Sequence, residues 1–177
     1  MTVLCKVEWR ATPDAPKPDV SFVPAMERRR LTGVERAALA VAHRALEAYR
    51  SSCAPEAATE DDVQMPVVFA SRWGEIGTTV KLMQQMHADG EMSPAGFSNS
   101  VHNAAPGHLS LLSKNRASYT AIAAGADSYE MGLLEASTYP GKVLFVYAEE
   151  DTPEFYKPDF PDIQAAHAVA LVIDNAV

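Results

Sequence analysis

Residues 117–137, ASYTAIAAGADSYEMGLLEAS, place a strand and a helix back to back. Residues 117–121 read as a short strand and residues 122–137 as the helix that follows. The helix is unusual in composition: Ala123, Ala124, Gly125, Ala126, Gly132 and Ala136 are all small. Glycine weakens a helix, but a missing side chain lets neighbouring backbones approach closely. The composition therefore predicts a helix buried between layers, with neighbours on most sides.

Working upstream, residues 66–70 (PVVFA) are an apolar run suited to a buried strand, and residues 74–87 carry the next helix. A strand running straight into a helix is the building unit of a parallel sheet. Gly90 closes that helix. Ser93-Pro94 opens a short one, with serine as N-cap and proline at the first helical position. Residues 108–113 read as a further helical stretch. At the N-terminus, residues 2–10 alternate in strand fashion, with Val3, Cys5, Val7 and Trp9 on one face. Pro13, Pro16, Pro18 and Pro24 then break a connecting loop. Thr32 followed by Glu35 fits a capping box ahead of an Ala- and Leu-rich helix over residues 34–50. Residues 51–64 are polar and acidic and read as a surface loop.

Downstream of the opening segment, residues 142–148 (KVLFVYA) are a long buried strand and residues 168–173 (AVALVI) a final one. Between them, Glu149-Glu150-Asp151 reads as a solvated acidic edge. The total is five strands with helices between most of them, an α/β arrangement.

The chain has 177 residues and 47% hydrophobic content, which suits one domain over residues 1–177 with a sizeable core. Fifteen Lys and Arg against 23 Asp and Glu give a net charge of −8. That balance disfavours nucleic acid, whose binding depends largely on basic residues replacing counterions. The single basic cluster, Arg28-Arg29-Arg30, reads as a solvated helix approach. No secretory leader and no long apolar run is present, so the expectation is a cytoplasmic protein with no membrane span. Cys5 and Cys53 form no CxxC pair and read as reduced thiols.

The common nucleotide, phosphate, zinc and calcium motifs are absent, and the five histidines are scattered, so no cofactor and no metal are expected. The densest polar group is Ser98-Asn99-Ser100-Val101-His102-Asn103. Ser100 and His102 are the weak candidates for a nucleophile and base; capping and buried hydrogen bonds are the competing reading.

Taken together and in order, the segments at residues 70–79 (ASRWGEIGTT), 93–112 (SPAGFSNSVHNAAPGHLSLL), 118–136 and 143–151 (VLFVYAEED) resemble the β-ketoacyl synthase N-terminal domain. The likeness is greatest to its short synthase-like or chain-length-factor subgroup. The resemblance implies one half of a thiolase-like fold, a five-stranded mixed sheet with helices on both faces. It places Ile122 where true synthases carry their nucleophilic cysteine, so that no catalytic residue remains. It also implies that the second half, which supplies the catalytic histidines, is not in this chain.

A catalytically inactive partner subunit is the function this implies, in fatty acid, polyketide or aryl-polyene-type biosynthesis. Its partner would be a full-length ketoacyl synthase or a second copy of itself, with acyl-carrier protein reached indirectly. The resemblance places the dimer strand at Ala117, Ser118, Tyr119, Thr120 and Ala121, and offers Phe97, Ile122 and Met131 as acyl-pocket candidates; plain core packing is the competing reading for these three. Two alternatives stay open: an acyltransferase or thioester hydrolase with a non-cysteine nucleophile, and an acyl-binding module.

Overall fold

The computed structural model describes residues 1–15, 17–53, 64–160 and 165–176. Five strands, β1 (Thr2–Arg10), β2 (Val67–Ala70), β3 (Tyr119–Ile122), β4 (Lys142–Glu149) and β5 (His167–Asp174), form one sheet in the order β1-β5-β4-β2-β3. Strands β2, β3 and β4 run parallel, whereas β5 runs antiparallel to both of its neighbours, β4 and β1. The mixed sheet with helices on both faces is the expected fold class.

Covered faces explain the unbroken apolar runs of the central strands. Along β4 and β5 the side chains alternate between two cores. Leu144, Val146, Ala148, Ala170 and Val172 face one helical layer; Val143, Phe145, Leu171 and Ile173 face the other. Burying each large side chain contributes about 1.5–3 kcal/mol, so the two cores dominate stability.

The first layer is α2 (Gly33–Cys53) with α5 (Ala104–Leu112), and the second is α6 (Ser128–Thr138). A short α1 (Ala25–Arg28) precedes α2, while α3 (Ile76–Asp89) and α4 (Pro94–Ser98) pack on each other. The capping box forms as the sequence predicts: the Glu35 N–H donates to Thr32 Oγ1 at 3.2 Å, and the Thr32 N–H donates to Glu35 Oε2 at 2.8 Å. Ser93 likewise caps α4, accepting the Gly96 N–H at 3.2 Å. Most of the acidic loop expected at residues 51–64 lies outside the described residues, and residues 51–53 continue α2.

Two expectations fail around the opening segment. The helix begins at Ser128, not at residue 122, because the parallel ladder extends β3 to Ile122, opposite Ala70. Gly125, at φ 60°, then turns the chain through a short 3-10 segment, Gly125–Asp127. Nor is α6 surrounded: it buries only Ser128, Gly132 and Ala136, and Leu134 on its outer side is exposed. Its small residues serve one contact, against the sheet. A Cβ on Gly132 would stand 2.6 Å from Phe145 and 2.7 Å from Ala70.

Candidate functional site

Parallel strands deliver their C-terminal ends to the same side of the sheet, and ligand sites in such folds gather there. Here that edge is formed by Ser71, Ile122 and Glu149, which follow or end β2, β3 and β4. The Ser71 N–H donates to the Ile122 carbonyl at 3.1 Å, which ties the β2 exit to the β3 exit. The side chain of Ile122 is half-buried against the core beneath α6. After it, Ser128 Oγ accepts the Ala124 N–H at 2.9 Å and donates to the Gly125 carbonyl at 2.7 Å, fixing the corner that leads into α6.

No thiol stands at this corner. Cys5 is on β1 at the opposite edge of the sheet, four strand spacings from β3, or about 19 Å. Cys53 ends α2. Ser100 and His102 also fail to meet as a pair: the Ser100 hydroxyl donates to the Phe97 carbonyl at 2.8 Å, while His102 Nε2 lies 2.9 Å from the Ser71 carbonyl. His102 packs edge-on to Phe69 and against Gly74, where a Cβ would come within 2.8 Å of the ring. It braces the β2 exit.

The candidate pocket residues lie apart. Phe97 is exposed beside an apolar groove of roughly 410 Å³ between α3 and α4, lined with Leu82, Met83, Met86 and Met92. Neither Ile122 nor Met131 lines that groove. Met131 is on the outer side of α6. The strand candidates are arranged more simply: Tyr119, Thr120 and Ala121 lie in β3, an edge strand bonded to β2 on one side, while Ala117 and Ser118 lead into it. Among the described residues no strand pairs with its other side.

The acidic run expected as a solvated edge is so only at Asp151, which is exposed; Glu150 is half-buried and Glu149 ends β4 in the interior. Glu149 is buried and accepts hydrogen bonds from the Arg72 N–H, from the Trp73 N–H at 3.4 Å and from the Ser71 hydroxyl at 3.1 Å. Burial raises its pKa and these donors pull it back. Burial, with the nearby Glu149 carboxyl, also lifts the Tyr147 phenol above its usual range. Glu150 Oε1 accepts the Gly77 N–H, in the first turn of α3, at 2.7 Å. Burial raises its pKa too, while that donor and Lys81 lower it.

A third carboxyl, Glu75, is the N-cap residue of α3 and accepts the Thr32 hydroxyl at 3.0 Å. Burial, then the neighbouring Glu35, pushes it up to about 8. Glu35 meets His108 Nδ1 at 2.8 Å, and that contact raises the imidazole's pKa. The capping box was readable in sequence, but its junction with α3 and β4 was not. One signal did exist: acidic residues directly after a parallel strand face helix N-termini, which supply N–H donors. Among the described residues no group of three or more His, Cys, Asp or Glu side chains is arranged to hold a metal ion.

At the β3 exit the corner carries the aliphatic Ile122, while the two cysteines of the sequence lie on β1 and at the end of α2. The sequence profile of the β-ketoacyl synthase N-terminal domain matches residues 5–177, and the chain belongs to that family. Among solved structures, a ketosynthase (ApeO) in complex with its chain length factor (ApeC) from Xenorhabdus doucetiae matches at 28% identity and TM-score 0.73, over 88% of this chain and 62% of that one. The ishigamide ketosynthase/chain length factor matches at 14% identity and TM-score 0.67, over 92% of this chain and 48% of that one. A β-ketoacyl synthase from Burkholderia phymatum STM815 matches at 16% identity and TM-score 0.68, over 92% and 46%. The chain thus spans between about half and three fifths of the length of these relatives. No curated protein matches. Among the described residues no helix is long and apolar enough to cross a membrane.

Proposed function

We propose that this chain is a non-catalytic, chain-length-factor-like partner of a ketosynthase in cytoplasmic fatty acid, polyketide or aryl-polyene-type biosynthesis. One observation carries the reading: an aliphatic side chain, Ile122, occupies the β3 exit where the family resemblance puts the condensing thiolate, with Cys5 at the far edge of the sheet. An isoleucine cannot attack a thioester, so no acyl-enzyme forms there. The likeness to a ketosynthase and chain length factor complex supports a partner role. The partner docks along the β3 edge, formed by Tyr119, Thr120 and Ala121 with Ala117 and Ser118 before it. Ile122, Met131 and Phe97 present apolar surface to that partner or to its growing chain. Acyl-carrier protein is reached through the partner rather than directly.

The test is co-expression with a full-length ketosynthase from the same organism, followed by affinity isolation and mass spectrometry of the products. The expected result is a stable pair whose acyl chain length differs from that of the ketosynthase alone. Failure to pair together with unchanged products, or a covalent acyl adduct on this chain alone, overturns the reading.

A further inference from the structure

Where the first turns of α2 and α3 approach the exit of β4, three carboxyl groups meet, two of them buried and the third, Glu150, half-buried at the rim. Glu35 is wholly buried and Glu75 is 3% exposed. Thr32 links them: its hydroxyl accepts the Glu35 N–H and gives its own single proton to Glu75 Oε1. Thr78 is 3.5 Å from the other Glu75 oxygen. Glu150 wedges between the helix starts so tightly that a Cβ on Gly33 or Gly77 would come within 3.1 Å or 2.9 Å of its oxygens. These two glycines leave the room that the carboxylate occupies.

Each helix start carries partial positive charge, about half an elementary charge, which favours a carboxylate beside it. His108 Nδ1 of α5 lies 2.8 Å from Glu35, with Glu27 of α1 acting on that imidazole, and Lys81 of α3 acts on Glu150. Glu149 and Asp151 act on Glu150 in the opposite sense. The charged groups acting on Glu75 are Glu35 and Glu150, both acidic. Burial and these two acidic neighbours favour the protonated form of Glu75, against the Thr32 and Thr78 hydrogen bonds, which favour the charged one.

This junction matters because α3 has little else to hold it. Of its fourteen residues only Leu82 is buried, and its remaining packing is chiefly against α4.

We propose that the junction is a proton-dependent clamp: the proton on Glu75 lets it stay buried beside Glu35 and Glu150, and withdrawing it favours openings that hydrate Glu75 and free the start of α3. The sign follows from proton linkage. A raised carboxyl binds its proton in the closed form at pH values where the open form has already lost it. The contribution of Glu75 to stability is therefore full below the ordinary value of 4.5, falls as pH rises above it, and is gone above about 8. His108, also raised, contributes stability at low pH that fades as pH rises through its folded value, so the wild-type curve alone does not separate the two groups.

Glu75→Gln separates them, since it keeps the shape and the Thr32 hydrogen bond without the titration. Urea unfolding of both proteins from about pH 5.5 to about 9, with amide exchange at Gly77 and Thr78 corrected for intrinsic rates, gives the comparison. The ratio of wild-type to variant opening constants is expected to rise towards tenfold per pH unit and flatten near about pH 8. A ratio that is constant across the range overturns the clamp. Should the variant not fold, the Glu75 side-chain carboxyl carbon of the wild type decides by NMR. A midpoint near about 8 supports the proposal, and one in the ordinary carboxylate range overturns it.

Discussion

Helix α2 covers one face of the sheet with 21 residues, and Leu39, Val41, Ala42 and Ala45 along it are wholly enclosed; α6 covers the other face with 11 and buries only Ser128, Gly132 and Ala136. Their starts differ as well. α2 opens with a reciprocal capping box, whereas the N-cap residue of α6, Asp127, makes no side-chain cap hydrogen bond. The first helix is a finished layer, with the N-terminal loop residues Val20 and Val23 and helix α5 packed around it. The second is docked on one side by close backbone approach and keeps an open outer side. Density of small residues therefore reports how near a helix lies to its neighbour, not how many neighbours it has.

The sharpest way to break this contrast is to truncate one leucine on each helix. Leu39→Ala is expected to lower the unfolding free energy in urea by about 2–5 kcal/mol, because it opens a cavity in a closed core. Leu134→Ala on α6 should change it by less than about 0.5 kcal/mol. Comparable losses would mean that the outer side of α6 is covered in solution.

A smaller effect probes the close approach itself. Gly132→Val forces side-chain atoms into Phe145 and Ala70 and should cost about 1–3 kcal/mol. It should also alter the near-UV circular dichroism of the Tyr129, Phe145 and Tyr147 cluster. An unchanged spectrum and stability would show that α6 rides higher above the sheet. The smallest effect compares the two starts: Thr32→Ala should cost about 0.5–2 kcal/mol in the same assay, and Asp127→Ala less than about 0.5 kcal/mol. Equal costs would erase the distinction between a capped and an uncapped helix.

Most elements were legible because local chemistry determines them. The alternation of residues 2–10 is β1, Thr32 and Glu35 cap α2, and Gly90 closes α3 with φ 72°. The start of α6 was not legible, since Ala and Gly are compatible with several conformations and it was the ladder to Ala70, a tertiary contact, that kept Ile122 extended. The same holds for the site. Ile122 could be singled out from the family resemblance, but the burial of Glu149 and Glu75 depends on which chain ends meet. Glu149 looks solvated as part of a charge run, yet it is interior because the chain leaving β2 folds over it and supplies its donors. Ser100 and His102 are near in sequence, yet their hydrogen bonds lead to separate carbonyls.

Strand β5 bonds to β1 along one edge and to β4 along the other, pairing Thr2 with Asp174 at the end of the ladder. During synthesis β1 therefore leaves the ribosome long before its partner strand exists, with the other three strands made in between. Until residues 167–174 emerge, β1 has no place in the sheet and β4 has an open side. Of the five strands, the last to emerge is the one that joins β1 to the rest of the sheet, and such non-local pairing makes for slow folding and for exposed strand edges that invite aggregation.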